Sequence, residues 1–177
     1  EVVKVTMEDK KSEIVISKED IDSRGSEKVP GAIMKITAKD TTVDLTSVEI
    51  VDFNRTDLPA KDKNVISWTS EDGTETLKGL PDGSYTLIEV AAPDGYTKVT
   101  SEFTFEIENG KVTATSTDSF EVKDNEIIVK DAVSEIVITK SDITGDKEVA
   151  GAELTLTNDK ADFTKVLEAN TGLTAVE

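Results

Sequence analysis

The stretch "YTLIEVAAPDGY", Tyr85 to Tyr96, decides how the rest of the chain is read. It begins as an alternating strand and ends in a Pro-Asp-Gly turn, where proline presets φ and glycine takes the left-handed position. Side chains two apart in a strand share a face, so Tyr85, Leu87 and Glu89 point the same way. The glutamate thus continues an apolar stripe instead of facing water. Two other stretches repeat the arrangement: Ile14, Ile16 and Lys18 share a face, as do Ile127, Val129 and Asp131. A single charge at a strand end would snorkel into solvent. Three such charges, each after two apolar or aromatic residues, predict a glutamate, a lysine and an aspartate that meet in one core.

Around these stretches, alternating runs follow one another at short spacing: Glu13–Lys18, Ala32–Ala38, Val65–Thr69, Tyr85–Val90, Glu102–Ile107, Lys111–Ala114 and Glu126–Asp131. Gly, Pro, Asp and Asn clusters separate them, which predicts an all-β sandwich of about seven strands with an immunoglobulin-like architecture. Asn109-Gly110 supplies the two positive φ angles of a tight hairpin turn.

The chain also repeats itself. "SEIVISKEDI" at Ser12–Ile21 returns as "SEIVITKSDI" at Ser134–Ile143, and a Val-x-Gly-Ala step follows each, at Val29–Ala32 and Val149–Ala152. Asp9 stands three residues before Ser12 as Asp131 stands three before Ser134. Residues 1–9 are therefore expected to be the last strand of a preceding unit, 10–132 a complete domain, and 133–177 the opening of a following unit in a tandem array. Asp9 and Lys140 fall at the repeat equivalents of Asp131 and Lys18.

Composition excludes several function classes. A net charge of −17 over 177 residues repels phosphate backbones and anionic lipid, so neither nucleic acid nor a membrane surface is an expected partner. With no histidine and no cysteine, a Ser-His-Asp triad, a cysteine nucleophile, disulfides and imidazole or thiolate metal sites are ruled out, and no cofactor is implied. No apolar run is long enough to span a bilayer. The acidic cluster Asp20–Asp22 has no calcium-loop spacing and reads as a solvated face.

Buried charges must be neutralised, because even a paired one often fails to recover its desolvation. Burial disfavours the charged forms of amines and carboxyls, so a neutral amine can face a neutral carboxylic acid, the state needed for amide formation. "YTLIEVAAPDGY" with "GLPDGSY" ahead of it, "EIVISKEDID" followed by "VPGAIMKI", and "EIIVKDA" near the end together resemble the CnaB-type (SpaA-like, prealbumin-like) domain of Gram-positive surface adhesins and pilins. The resemblance runs from about Lys10 to Ala132 apart from one inserted stretch. It implies a self-made intramolecular isopeptide bond, with Lys18 supplying the amine, Asp131 the acceptor carbonyl and Glu89 the proton shuttle. Many family members use asparagine as acceptor; aspartate here would release water. Asp124 and Asn125 precede the alternation of the last strand and rank behind Asp131.

The implied function is a structural stalk module of a bacterial cell-surface adhesin or pilin, not an enzyme acting on other molecules. Its expected partners are neighbouring units of the same array, its location the cell surface, and its wall anchor a region outside this chain. "LPDGS" and "LPAKD" lack the Thr-Gly ending of a sortase signal. An inserted stretch, residues 40–64, carries Leu45, Val48, Val51 and Phe53 in neither strand nor helix period. An extra edge element or a short helix packed on the sandwich is the expectation there. The alternative is a loop that binds a host matrix protein or glycan.

Overall fold

A computed structural model describes residues 10–21, 28–51, 60–71, 74–145 and 147–157. The expected closing strand 1–9, with Asp9, lies outside them. The chain divides into two compact units at Ser134 and Glu135.

Among the described residues the first unit holds twelve strands: β1 (Glu13–Asp20), β2 (Ile33–Ala38), β3 (Glu49–Val51), β4 (Ala60–Asp62), β5 (Val65–Thr69), β6 (Thr74–Lys78), β7 (Gly83–Ala91), β8 (Tyr96–Thr97), β9 (Phe103–Glu108), β10 (Lys111–Thr113), β11 (Phe120–Lys123) and β12 (Glu126–Val133). All seven expected strands are present, and five more join them. The described residues contain no helix. One sheet has the order β11-β12-β1-β6-β3, with β8 paired to the end of β12, and the other β10-β9-β7-β2-β5-β4. The chain forms an all-β sandwich.

Every strand pair is antiparallel except β1 and β12, which run parallel with Lys18 opposite Val129 and Asp20 opposite Asp131. A parallel pair needs a long crossover. Here nearly the whole domain is that crossover, so the first and last strands lie side by side in the middle of one sheet.

The alternation read from the sequence is the burial pattern. Ile14, Ile16, Ile127 and Val129 of one sheet face Ile36, Ile66, Leu87 and Phe105 of the other, all essentially inaccessible. Phe120 closes the core over Phe103 with ring centroids 4.7 Å apart, and Tyr85 stacks on Phe105 at 5.4 Å. At the end of the sandwich away from Lys18, Asn109 and Gly110 adopt φ of 53° and 73°. Their N–H groups both donate to the Asp82 carboxylate, at 2.8 and 3.1 Å, which ties this hairpin to the Pro81-Asp82-Gly83 turn.

The inserted stretch is built into the sandwich at both its ends. Leu45 and Val48 are fully buried core residues. β3 forms an edge of one sheet beside β6, and β4 an edge of the other beside β5. Short edge strands of this kind limit unwanted pairing.

In the second unit, the Val149 N–H donates to the Lys140 carbonyl at 2.7 Å and Ser141 bridges Glu148. The first unit has the same two features at corresponding places: Val29 N–H to the Lys18 carbonyl at 2.9 Å, and a Glu19–Lys28 bridge. Ile136, Val137, Ile138, Leu154 and Leu156 are exposed.

Candidate functional site

Lys18 sits on the core face of β1, one step beyond Ile16, where the period of two directs it between the sheets. Asp131 lies on the neighbouring parallel strand, two residues past Val129, the Cα partner of Lys18. A lysine side chain is long enough to reach it along this diagonal. Glu89 comes from the opposite sheet, at the end of the Tyr85-Leu87-Glu89 stripe of β7, beside Met34 of β2. Three strands from two sheets thus converge on one point.

Lys18 Nζ lies 2.6 Å from Asp131 Oδ1 and 3.6 Å from Glu89 Oε1, and all three side chains are at most 1% exposed. Lys18 Nζ, both Asp131 oxygens and Glu89 Oε1 make no hydrogen bond outside this cluster. Buried polar atoms are rarely left so. Glu89 Oε2 alone is satisfied, accepting the Val99 N–H at 2.7 Å. Burial pushes the Glu89 carboxyl up to about 7; the Val99 N–H and the Lys18 ammonium oppose the rise and the Asp131 carboxyl adds to it. Chemically, the site holds an amine against a carboxyl group in a buried pocket, with a second carboxyl able to give and take a proton near neutral pH.

Other residues weighed from the sequence lie elsewhere. Asn125 is occupied at the opposite end of β12, where its side chain accepts the Val112 N–H and donates to the carbonyls of Glu13 and Gly110. Asp124 is a turn residue with φ 53° and an exposed side chain. Lys140 is exposed in the second unit. Among the described residues, no group of three potential metal ligands forms, and no helix is long and apolar enough to cross a membrane.

Three residues near the site went unrecognised in the sequence. Asp20, 8% exposed, extends the β1 stripe one further step, and Tyr96 Oη donates to its Oδ2 at 3.3 Å. The solvated face expected of the Asp20–Asp22 cluster does not hold for Asp20, because the period of two that buries Lys18 carries Asp20 to the same face. Glu75 of β6, 1% exposed, is the Cα partner of Ile16 and hence lies on the same core face.

The prealbumin-like fold domain of the SpaA family matches residues 12–120, more than half of the chain. The chain belongs to the SpaA prealbumin-like domain family. Among solved structures, the SpaA-type chain is similar to the group B streptococcus pilus 2b backbone protein, at 26% identity over 73% of this chain and 43% of that one, TM-score 0.43. The pilus adhesin RrgA from Streptococcus pneumoniae is 23% identical over 72% of this chain and 16% of that one, TM-score 0.47. The C-terminal fragment of the pilus adhesin SpaC from Lactobacillus rhamnosus GG is 17% identical over 72% and 47%, TM-score 0.47. The chain spans less than half the length of each of these proteins. A search of curated protein sequences found no match.

Proposed function

We propose that this SpaA-type unit is a structural stalk module of a Gram-positive cell-surface pilin or adhesin, hardened by an isopeptide bond that it forms itself between Lys18 and Asp131. The observation that carries the reading is the 2.6 Å approach of Lys18 Nζ to Asp131 in a fully buried site, with Glu89 at 3.6 Å. A lysine retained for packing or solubility has no reason to sit there, since a buried ion pair is commonly no better than an apolar replacement.

The reaction balances within the three residues. Proton transfer from the Lys18 ammonium to the Asp131 carboxylate gives a neutral amine and a carboxylic acid. Nζ attacks Cγ of Asp131 while protonated Glu89 hydrogen-bonds the carbonyl oxygen and polarises it. Glu89 then passes a proton to the departing hydroxyl and takes one from the nitrogen. The Nζ–Cγ bond forms, one Cγ–O bond breaks, water leaves, and Glu89 ends as it began. Positioning does most of the work, because the two reacting groups are already in contact. The chemistry occurs once per chain, so the unit is not an enzyme in the turnover sense.

The product closes nearly the whole domain into one loop. By analogy with disulfides closing loops of about 100 residues it would stabilise by about 4–5 kcal/mol, and it cannot be reduced. This suits an extracellular array at the cell surface, whose natural partners are neighbouring units of the same kind. The reading in which residues 40–64 bind a host matrix protein or glycan has less support, because Leu45, Val48, β3 and β4 are structural parts of the sandwich.

The test is the intact mass of the purified chain beside that of a Glu89→Ala variant, followed by peptide mapping. The expected wild type is one water lighter than its sequence, with Lys18 and Asp131 peptides joined, and the variant has full mass. A wild type of full mass overturns the crosslink and leaves the three residues as a polar cluster.

A further inference from the structure

The connection from β7 to β9 touches all three elements that carry the reactive groups. Gly95 accepts the Ser134 N–H at 2.8 Å, and β8 pairs Thr97 with Ala132 and Tyr96 with Val133, directly after Asp131. Tyr96 Oη reaches Asp20 Oδ2 at 3.3 Å, two residues after Lys18 on β1. Val99, three residues further, donates its N–H to Glu89 Oε2 at 2.7 Å. One short segment is therefore fastened to the strand of the amine, the strand of the acceptor and the carboxyl between them.

Resting on the crosslink reading above, we propose that Tyr96 and Asp20 are positioning residues for the Lys18–Asp131 reaction: their hydrogen bond clasps the 93–99 segment across the ends of β1 and β12 and thereby holds the Val99 N–H on Glu89. Each side chain acts through the backbone it anchors. The physical case is one of restraint: Val99 lies in an irregular stretch between β8 and β9, and a backbone N–H there keeps its aim only if the chain on both sides is fixed. On the β9 side the sheet does this through the Leu87–Phe103 pair. On the other side β8 contributes only two residues, and the Tyr96 side chain ties them to β1.

The charged groups facing Glu89 are Lys18 of β1 and Asp131 of β12; β2 presents Met34, and the clasp presents only the Val99 N–H. That N–H favours the ionised carboxylate. Loosening the clasp therefore leaves Glu89 protonated to higher pH, whereas a general loss of packing would slow the reaction without moving its pH profile in that direction.

The experiment refolds the full chain, kept uncrosslinked in denaturant from inclusion bodies, at a series of pH values and follows the loss of one water by intact mass. Tyr96→Phe and Asp20→Ala are expected to slow crosslinking about tenfold or more and to move the high-pH limb of the rate upward. Asp20→Asn, which still accepts from the tyrosine hydroxyl, is expected to restore the rate to within about threefold of wild type. Near-ultraviolet circular dichroism on each variant reports folding. A wild type that crosslinks alongside Tyr96→Phe and Asp20→Ala chains of unchanged rate and profile overturns the clasp alone. Equal loss in Asp20→Ala and Asp20→Asn also overturns it, since the hydrogen bond would then not be the cause. A wild type that never loses water overturns the crosslink reading and the clasp with it.

Discussion

Glu75 offers the sharpest quantitative test of the core. It is 1% exposed and sits on β6 beside Ile16. Burial raises its carboxyl from 4.5 to about 7, while the Glu71 backbone N–H, 2.8 Å away, and the Trp68 indole pull the other way. Holding such a group ionised in the folded state costs roughly 3 kcal/mol, at about 1.4 kcal/mol for each tenfold change in its protonation equilibrium. The sign follows from linkage: a folded-state value above the unfolded one gives stability that is complete below pH 4.5 and lost as the pH rises to about 7. Glu75→Gln removes the ionisation and keeps an oxygen for the Glu71 N–H. The variant should match wild type to within about 1 kcal/mol at pH 4.5 and exceed it by about 1–3 kcal/mol at pH 8.5. Urea unfolding followed by the fluorescence of Trp68, the single tryptophan, reads this directly. Comparing the two proteins at each pH cancels the titration of Glu89, which shares the same range. A variant-to-wild-type difference that is the same at both pH values would refute the reasoning.

Asn125→Ala removes three hydrogen bonds that join the start of β12 to β1 and to the β9–β10 hairpin, so a loss of about 2–4 kcal/mol is expected in urea unfolding, and a loss below about 1 would refute that role. Pulling on handles fused before Lys10 and after Ser134 should release the segment between Lys18 and Asp131 only when it is uncrosslinked. That segment holds 131 − 18 − 1 = 112 residues, so Glu89→Ala should lengthen by roughly 400 Å at about 3.6 Å per residue and wild type should not.

The legible parts of the sequence were those in which the period of two coincides with apolar residues. β1, β7 and β12 each set two apolar or aromatic residues ahead of the charge, and so both their burial and the direction of Lys18, Glu89 and Asp131 could be read. β6 was not read as a strand because its buried face carries Glu75 and a single apolar residue, Leu77. That face is apolar only once the glutamate is supplied with the Glu71 N–H, a contact across the β5–β6 turn that no local pattern encodes. β3, β4, β8 and β11 are two to four residues long, too short for alternation to declare itself. The convergence of Lys18, Glu89 and Asp131 was expected from the sequence; the clasp was not, because it depends on a backbone N–H and on the parallel pairing that brings Asp20 to Asp131.

That parallel pairing also determines what a Lys18–Asp131 bond would do under load. Tension applied to the two ends of the unit enters β1 at its N-terminal end and leaves β12 at its C-terminal end. For two parallel neighbours these pulls are opposed along the strand axis. Without a crosslink they shear the ladder from Val15–Glu126 to Asp20–Asp131 as one set. With the bond in place, the load travels along β1 only as far as Lys18, crosses to Asp131 and leaves through the last two residues of β12. Everything from Glu19 to Lys130 then hangs outside the path of force, including the rest of β12 and all of the second sheet. Such a bond would leave only Glu13–Lys18 of β1 and the last residues of β12 under load. A bond at the other end of the pair, between β1 and the start of β12 near Asn125, would instead leave most of β12 in the load path and spare β1. Either placement would shield the second sheet; a Lys18–Asp131 bond would shield most of β12 as well, while Asn125, held by three backbone partners, fastens the start of β12 to β1.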